Sequence, residues 1–283
     1  MRSAISHLPR WLHNEHAGTN RWWGRSVVSL RVCSAINCCA ERGTVGIKLF
    51  AFSRRRNGVT VEEFQQYWEG VHARQVADEP SLRRHVRRYE LNHRLQEDYA
   101  RDRFRPEGAG AGWDGVAVLW FDSPADFEAM QAEPAFGAHA GDGAEFRDEA
   151  QLVVLTRDPE VIVSKPNCGD AGAKMLCILR RKAGLDLAKF HEHWLRHHGG
   201  LFRQIPELYE PLLAYEQNHG VPAPDAAFDG VTEQWFHSYR SFLASLDVEA
   251  VERDVNPDLA YFLDPAGTEF IMAAPPTVVF GDE

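Results

Sequence analysis

Apolar positions along this chain alternate, then spiral, in an order that occurs twice. Residues 46–53 (G-I-K-L-F-A-F-S) have strand composition. Thr60-Val61-Glu62-Glu63 is a capping box, with Thr as N-cap and Glu at N3. It predicts a helix with Val61, Phe64, Trp68 and Val71 on one face, which Pro80 ends or bends. Residues 85–94 and 115–121 follow as strands, separated by a charged and then Gly-rich loop over 95–113. Ser123-Pro124 opens a second helix with Phe127 and Met130 inward, and residues 151–156 form a fourth strand. The second pass predicts strands over 174–181, 211–219, 230–237 and 269–273. Its helices are one capped by Asp186 and one over 241–253.

The two passes are copies. Arg54-Arg55 and Arg180-Arg181, the motif F-x-x-x-W-x-x-x-H (Phe64, Trp68, His72; Phe190, Trp194, His198) and Y-E-x-N-H (Tyr89 to His93; Tyr215 to His219) all recur 126 residues apart. The offset then falls to 115 for Asp114-Gly115-Val116 and Asp229-Gly230-Val231, Trp120 and Trp235, Phe127 and Phe242. The change falls in a connection, where length variation is tolerated. Each unit of roughly 110 residues reads β-α-β-β-α-β. That is the ferredoxin-like plan, one antiparallel sheet with two helices on one face. The other sheet face must also be covered, and two copies can cover each other's. The expected fold is therefore α+β: two ferredoxin-like repeats forming a pseudo-dimeric α/β barrel. The expected domains are an Arg-rich extension over 1–45, repeat 1 over 46–163, a linker over 164–173 and repeat 2 over 174–283.

Composition narrows the function by exclusion. A net charge of −10 argues against a nucleic-acid surface. No run of eighteen apolar residues exists to span a membrane. Five cysteines do not make a disulfide framework, and Cys33, Cys38 and Cys39 lack the paired spacing of a structural zinc site. Residues 1–45 carry Arg2, Arg10, Arg21, Arg25, Arg31 and Arg42 against Glu15 and Glu41. They are taken as a disordered or upstream extension rather than a targeting peptide, and a cytoplasmic location is expected. No G-x-G-x-x-G, P-loop, G-x-S-x-G or zincin motif is present, so no nucleotide or flavin cofactor is indicated.

The Arg-ended strand, the W-x-x-x-H helix, the Y-E-x-N-H strand and the D-G-V strand before a capped helix resemble the EthD family of the dimeric α/β-barrel superfamily. The resemblance covers nearly all of the chain beyond the extension. It implies small barrels with a pocket between helices and sheet, often for aromatic or polyketide-like compounds. Relatives in the superfamily include cofactor-free monooxygenases, lactone isomerases, dehydratases, decarboxylases and haem enzymes, so fold restricts chemistry weakly.

The candidate chemistry rests on histidines. His72 and His198 each end an apolar helical stripe and titrate near neutral pH, as general acids or bases must. The bland alternative is a half-buried imidazole bonded to a carbonyl. Strand alternation puts Tyr89 with His93, and Tyr215 with His219, on one sheet face. Asn92 and Asn218 sit beside those histidines. Trp68 and Trp194 are expected to line a substrate pocket or fill the core, and Arg54 and Arg180 to hold a carboxylate or lie solvated. Trp120 and Trp235 are assigned to the core. His191, His193 and His197 are private to the second copy. Although H-x-x-x-H is a metal spacing, no distal ligand is apparent, and all three are assigned to a solvated face, with no metal site. An axial His72 or His198 for haem has no second signature.

The leading expectation is a cofactor-independent lyase, a decarboxylase or dehydratase acting on a small phenolic compound through His/Tyr acid–base catalysis in aromatic catabolism. The alternatives are a cofactor-free monooxygenase or isomerase on a similar substrate, and a non-catalytic binding protein of a degradation pathway. The second copy has the fuller histidine set and is favoured as the working site. A homodimer stays open.

Overall fold

Alternation along β1 (Ile47–Ser53) sorts its side chains between two cores, because every residue of the strand is buried. Ile47, Leu49 and Ala51 pack under helices; Phe50 and Phe52 face a second sheet. The computed structural model describes residues 46–104, 112–148, 151–223 and 226–281. The extension assigned to 1–45, with Cys33, Cys38 and Cys39, lies outside them.

The first copy continues with α1 (Val61–Tyr67), a π-helical turn Trp68–His72, α2 (Ala73–Ala77) and α3 (Pro80–Arg83). Then come β2 (Arg88–His93), β3 (Gly115–Phe121), α4 (Pro124–Ala132), α5 (Pro134–Asp142), β4 (Leu152–Arg157) and β5 (Glu160–Ser164). The second copy has β6 (Ala173–Leu179), α6 (Leu187–His193), a π-helical turn Trp194–His198, α7 (Gly199–Gln204), α8 (Pro206–Tyr209), β7 (Ala214–His219) and β8 (Gly230–Phe236). It ends with α9 (Tyr239–Leu246), a third π-helical turn Val251–Val255, α10 (Asn256–Phe262), β9 (Glu269–Ala273) and β10 (Thr277–Phe280). The capping box closes as its sequence predicts: Thr60 N donates to Glu63 Oε2 at 2.8 Å and Glu63 N to Thr60 Oγ1 at 3.2 Å.

Several elements depart from the sequence pattern. The expected loop after β2 holds a 3₁₀ helix at Gln96–Phe104. The expected helix over 241–253 is instead α9 followed, past a break, by α10, which has Pro257 in its first turn. β5 and β10 are not predicted at all, and they exchange places. The two sheets run β10-β2-β3-β1-β4 and β5-β7-β8-β6-β9, antiparallel throughout. Each copy thus completes the other's sheet, with Thr277 opposite Leu91 and Glu160 opposite Gln217. The seams close as a pseudo-dimeric barrel. Val221 N donates to Leu155 O at 2.9 Å on one side, and Leu95 N to Met272 O at 2.8 Å on the other.

The space between the sheets holds Phe50, Phe52, Val116, Val118, Leu176, Ile178, Val231 and Ile271. A buried ionic cluster shares it. Lys48 and Lys174, at matched positions, both reach Glu233: Nζ to Oε2 at 2.5 Å and Nζ to Oε1 at 2.6 Å. Lys48 also reaches Glu216 at 3.3 Å, and Asn218 Nδ2 donates to Glu233 Oε2 at 3.0 Å. Trp120 and Trp235, assigned to the core from sequence, are only partly buried and cover the two ammonium groups at 4.9 and 4.8 Å.

The recurrent D-G-V triplet is a clasp. Asp229 accepts the Arg181 backbone N–H at 2.7 Å and the Arg181 guanidinium; Asp114 takes the Arg55 backbone N–H at 2.8 Å and its guanidinium. The glycine then lets the motif tryptophan lie on the strand. A Cβ at Gly230 would sit 2.6 Å from the Trp194 ring and 2.8 Å from the Asn218 carbonyl oxygen. Gly230→Ala is accordingly expected to lower stability by about 1–3 kcal/mol. A urea midpoint unchanged from wild type would show that the tryptophan is free to move aside.

Candidate active site

Over eight residues an α-helix drifts by about 80°, which would carry the histidine of F-x-x-x-W-x-x-x-H off the stripe begun by the phenylalanine. In both copies the last five residues of the motif form a π-helical turn. Its wider winding turns less per residue, and such turns concentrate at functional positions. His72 and His198 end up buried beneath the helices, each 6% exposed.

Each histidine meets an aspartate that the sequence pattern did not single out. His72 Nδ1 lies 2.9 Å from Asp142 Oδ2, and His198 Nδ1 lies 2.8 Å from Asp258 Oδ2. Both aspartates stand on helices absent from the sequence-derived elements, α5 and α10. Both also take a second donor from the motif helix: Tyr67 Oη at 2.9 Å on Asp142, His193 Nε2 at 2.6 Å on Asp258. Burial alone would raise the Asp258 carboxyl, but the hydrogen bonds from His198 and His193 hold it below its usual range. It is therefore the ionised acceptor, and Nδ1 of His198 carries the proton. Nε2 is then the ring nitrogen that the aspartate does not engage.

The two copies diverge around this shared dyad. In the second, His198 lines a small cavity of about 90 Å³, partly open to solvent, between the helices and the sheet. Trp194, Phe202, Phe236, Phe242 and Phe262 give it aromatic walls, and Tyr215, Thr232, Gln234 and Ser245 give it polar points. Tyr215 is fully buried, and burial pushes its hydroxyl above the ordinary tyrosine value. Its oxygen accepts from Gln217 Nε2 at 3.0 Å and Trp194 Nε1 at 3.3 Å, which directs its own proton elsewhere. In the first copy Ala117, Leu119 and Met130 stand where the second has Thr232, Gln234 and Ser245. There His139 stacks on His72 at 4.1 Å, and the Arg147 side chain fills the space facing Gly143. Burial, reinforced by His72, drives His139 down to about 3, and burial also lowers His72.

The remaining expected site residues separate. His219 stacks on Trp194 at 4.7 Å and contacts His191 at 4.6 Å, behind the cavity wall. Burial and the neighbouring His191 bring it down to about 3. His93 stands edge-on to Trp68 at 5.7 Å with the Glu69 carboxylate 3.6 Å away. Tyr89 is buried beneath Trp68 and meets Phe280 of the exchanged strand at 5.9 Å. Asn92 and Asn218 project to the opposite sheet face. There they donate to Val116 O at 3.2 Å and Val231 O at 3.0 Å, because strand alternation separates them from His93 and His219. Arg54 lies over Trp113 at 4.2 Å, and Arg180 donates to Ala227 O at 3.0 Å. Neither lines the cavity.

The solvated face is also revised. His197 is exposed, but His191 and His193 are half-buried, bonded to Asp229 O at 2.9 Å and to Asp258. A distal partner for H-x-x-x-H thus exists: His193, His197 and Asp258 place one donor atom each within 4.8 Å of one another.

A shared helix–histidine–aspartate plan on two exchanged ferredoxin-like units coincides with the match to known families. The EthD domain model matches residues 56–150 and again 182–266. The chain belongs to the EthD family. No curated protein matches it. Among solved structures, this EthD protein is similar to an anthrone oxidase-like protein, with a TM-score of 0.54 and 11% identity, covering 84% of this chain and 94% of the other. It is also similar to a candidate monooxygenase of Fusobacterium nucleatum, with a TM-score of 0.50 and 8% identity over 83% and 94%. At such identities the likeness is one of fold. Among the described residues no helix is long and apolar enough to cross a membrane.

Proposed function

We propose that the second EthD repeat is the working site, an acid–base enzyme site for a small phenolic compound. One observation carries this reading. His198, with Nδ1 fixed by Asp258, lines an aromatic-walled cavity that Tyr215 also lines. A phenol in that cavity can give its proton to His198 Nε2, and Asp258 supports the imidazolium that forms. The freed electron pair moves into the ring. In a decarboxylation, the carbon bearing the carboxylate takes a proton to give a quinone-methide-like intermediate. The bond to CO₂ then breaks, and its electrons return to the phenolic oxygen. In a dehydration, the same push expels a protonated benzylic hydroxyl as water, and a neighbouring carbon then loses a proton. Neither route changes the redox balance. Tyr215, neutral because burial disfavours its anion, serves as hydrogen-bond donor to the phenolate.

A second reading is a cofactor-free monooxygenase, in which the same phenolate hands electrons to O₂. The names of the two similar structures favour it. Incubation with phenolic acids and lignin-type aromatic dimers under argon, followed by mass spectrometry, separates the two. The expected result is a product lighter by CO₂ or water. Turnover only in air, with oxygen consumed, would replace the lyase by the oxygenase. Ligand binding with no product under either gas would leave a binding protein.

A further inference from the structure

Beside the cavity the second repeat carries a group of ligating side chains that the proposed acid–base chemistry does not use. His193 and His197 stand four residues apart, the spacing at which a helix presents two imidazoles to one metal ion. Asp258 joins them from α10, 65 residues beyond His193. His193 Nε2 and His197 Nε2 lie 2.6 and 3.4 Å from Asp258 Oδ1. Donor atoms around a tetrahedral zinc ion, each about 2.0–2.1 Å from the metal, are roughly 3.3 Å apart, so small side-chain rotations suffice. The cleft in front is lined by Arg253, Asp254 and Tyr261. Arg253 is paired with Asp254 at 2.7 Å, which offsets its repulsion of a cation. The first repeat shows that supporting the aspartate does not need these imidazoles. Tyr67 does it there, with Val71 in place of His197.

We propose that His193, His197 and Asp258 bind a divalent transition-metal ion of the zinc class, with water completing the coordination. Binding exchanges the His193–Asp258 hydrogen bond for metal–ligand bonds and releases the proton from His193 Nε2. Asp258 is the shared member: Oδ1 turns to the metal while Oδ2 keeps His198 Nδ1. Occupancy therefore places a cation on the carboxylate that orients His198 and links the metal to the cavity. Binding stands independently of the acid–base reading.

Equilibrium dialysis of the full chain against Zn²⁺, with its thiols alkylated, tests the site. Wild type is expected to take up one equivalent that His197→Ala binds about tenfold or more weakly, while His237→Ala, an exposed histidine elsewhere, binds as wild type does. His197 is exposed, so its removal leaves folding intact. Co²⁺ should give the visible bands of a four-coordinate site in wild type and not in His197→Ala. Equal stoichiometry and affinity in wild type and His197→Ala would overturn the proposal. Imidazole nitrogen resonances of His198 that stay still at Zn²⁺ saturation would overturn the link to the cavity.

Discussion

Replacing His198 with alanine is expected to cut turnover of the phenolic substrate by about 10²–10⁴-fold, the usual contribution of a positioned general base. His72→Ala should leave turnover within a few-fold of wild type. The contrast follows from what surrounds each dyad. His198 faces a cavity whose polar groups can orient a ligand, whereas His72 is stacked against His139 with Arg147 filling the space nearby. Asp258→Asn should reproduce much of the His198→Ala loss, because an amide can donate to Nδ1 and favour the tautomer with its proton on Nε2. Tyr215→Phe should cost less, since one hydrogen bond to the phenolate is lost while the base remains. Single-turnover rates with circular dichroism of each variant are the measurement. Activity lost in His72→Ala and kept in His198→Ala would move the working site to the first repeat.

Glu233→Gln is expected to destabilise the fold by about 3–5 kcal/mol, the cost of leaving a buried charge without its partner. The carboxylate is shared by two lysines that have no route to water. The amide leaves Lys174 without a directly paired carboxylate and Lys48 with only Glu216 at 3.3 Å. A denaturant midpoint gives the loss, and the double change Lys174→Met with Glu233→Gln should recover part of it. The pH dependence has a definite sign. Burial would raise Glu233, but Lys174 and Lys48 outweigh it and hold the carboxyl below its ordinary 4.5. The stability it contributes is therefore complete above that value and drains away as the pH falls below it. Glu216 runs the other way, raised by burial and by the Glu233 carboxylate, and opposes this trend. The gap between wild type and Glu233→Gln should narrow in acid; a gap independent of pH would mean that shape, not charge, is what the glutamine disturbs.

Much of this architecture is legible in the residues themselves. Fixed offsets reveal the duplication, and β3 and the Thr60 cap fall where alternation and capping put them. What escapes is local in sequence and distant in space. β5 and β10 are four or five residues long, and their pairing partners belong to the other copy. Nothing in a short apolar run says which edge it will join. Asp142 and Asp258 sit on short helices opened by Pro134 and, within the first turn, Pro257. The signal was available: the pairs Asp142 with Asp258 and Phe146 with Phe262 continue the repeat at an offset of 116. Imidazole chemistry marks the histidines in the sequence, whereas a lone acid carries no such mark. The two members of each Arg-Arg pair have different partners. The second arginine, not the first, carries the clasp on the D-G-V aspartate.

The exchanged strands also govern how the chain is born. A ribosome delivers β2 long before β10, yet Leu91 pairs with Thr277 of the second copy. Until then the leading sheet keeps an unpaired edge of the kind that recruits other chains. The nascent first half must wait for the end of the second copy, and a nonsense mutation sparing every residue up to Ala273 would still release a protein open to aggregation.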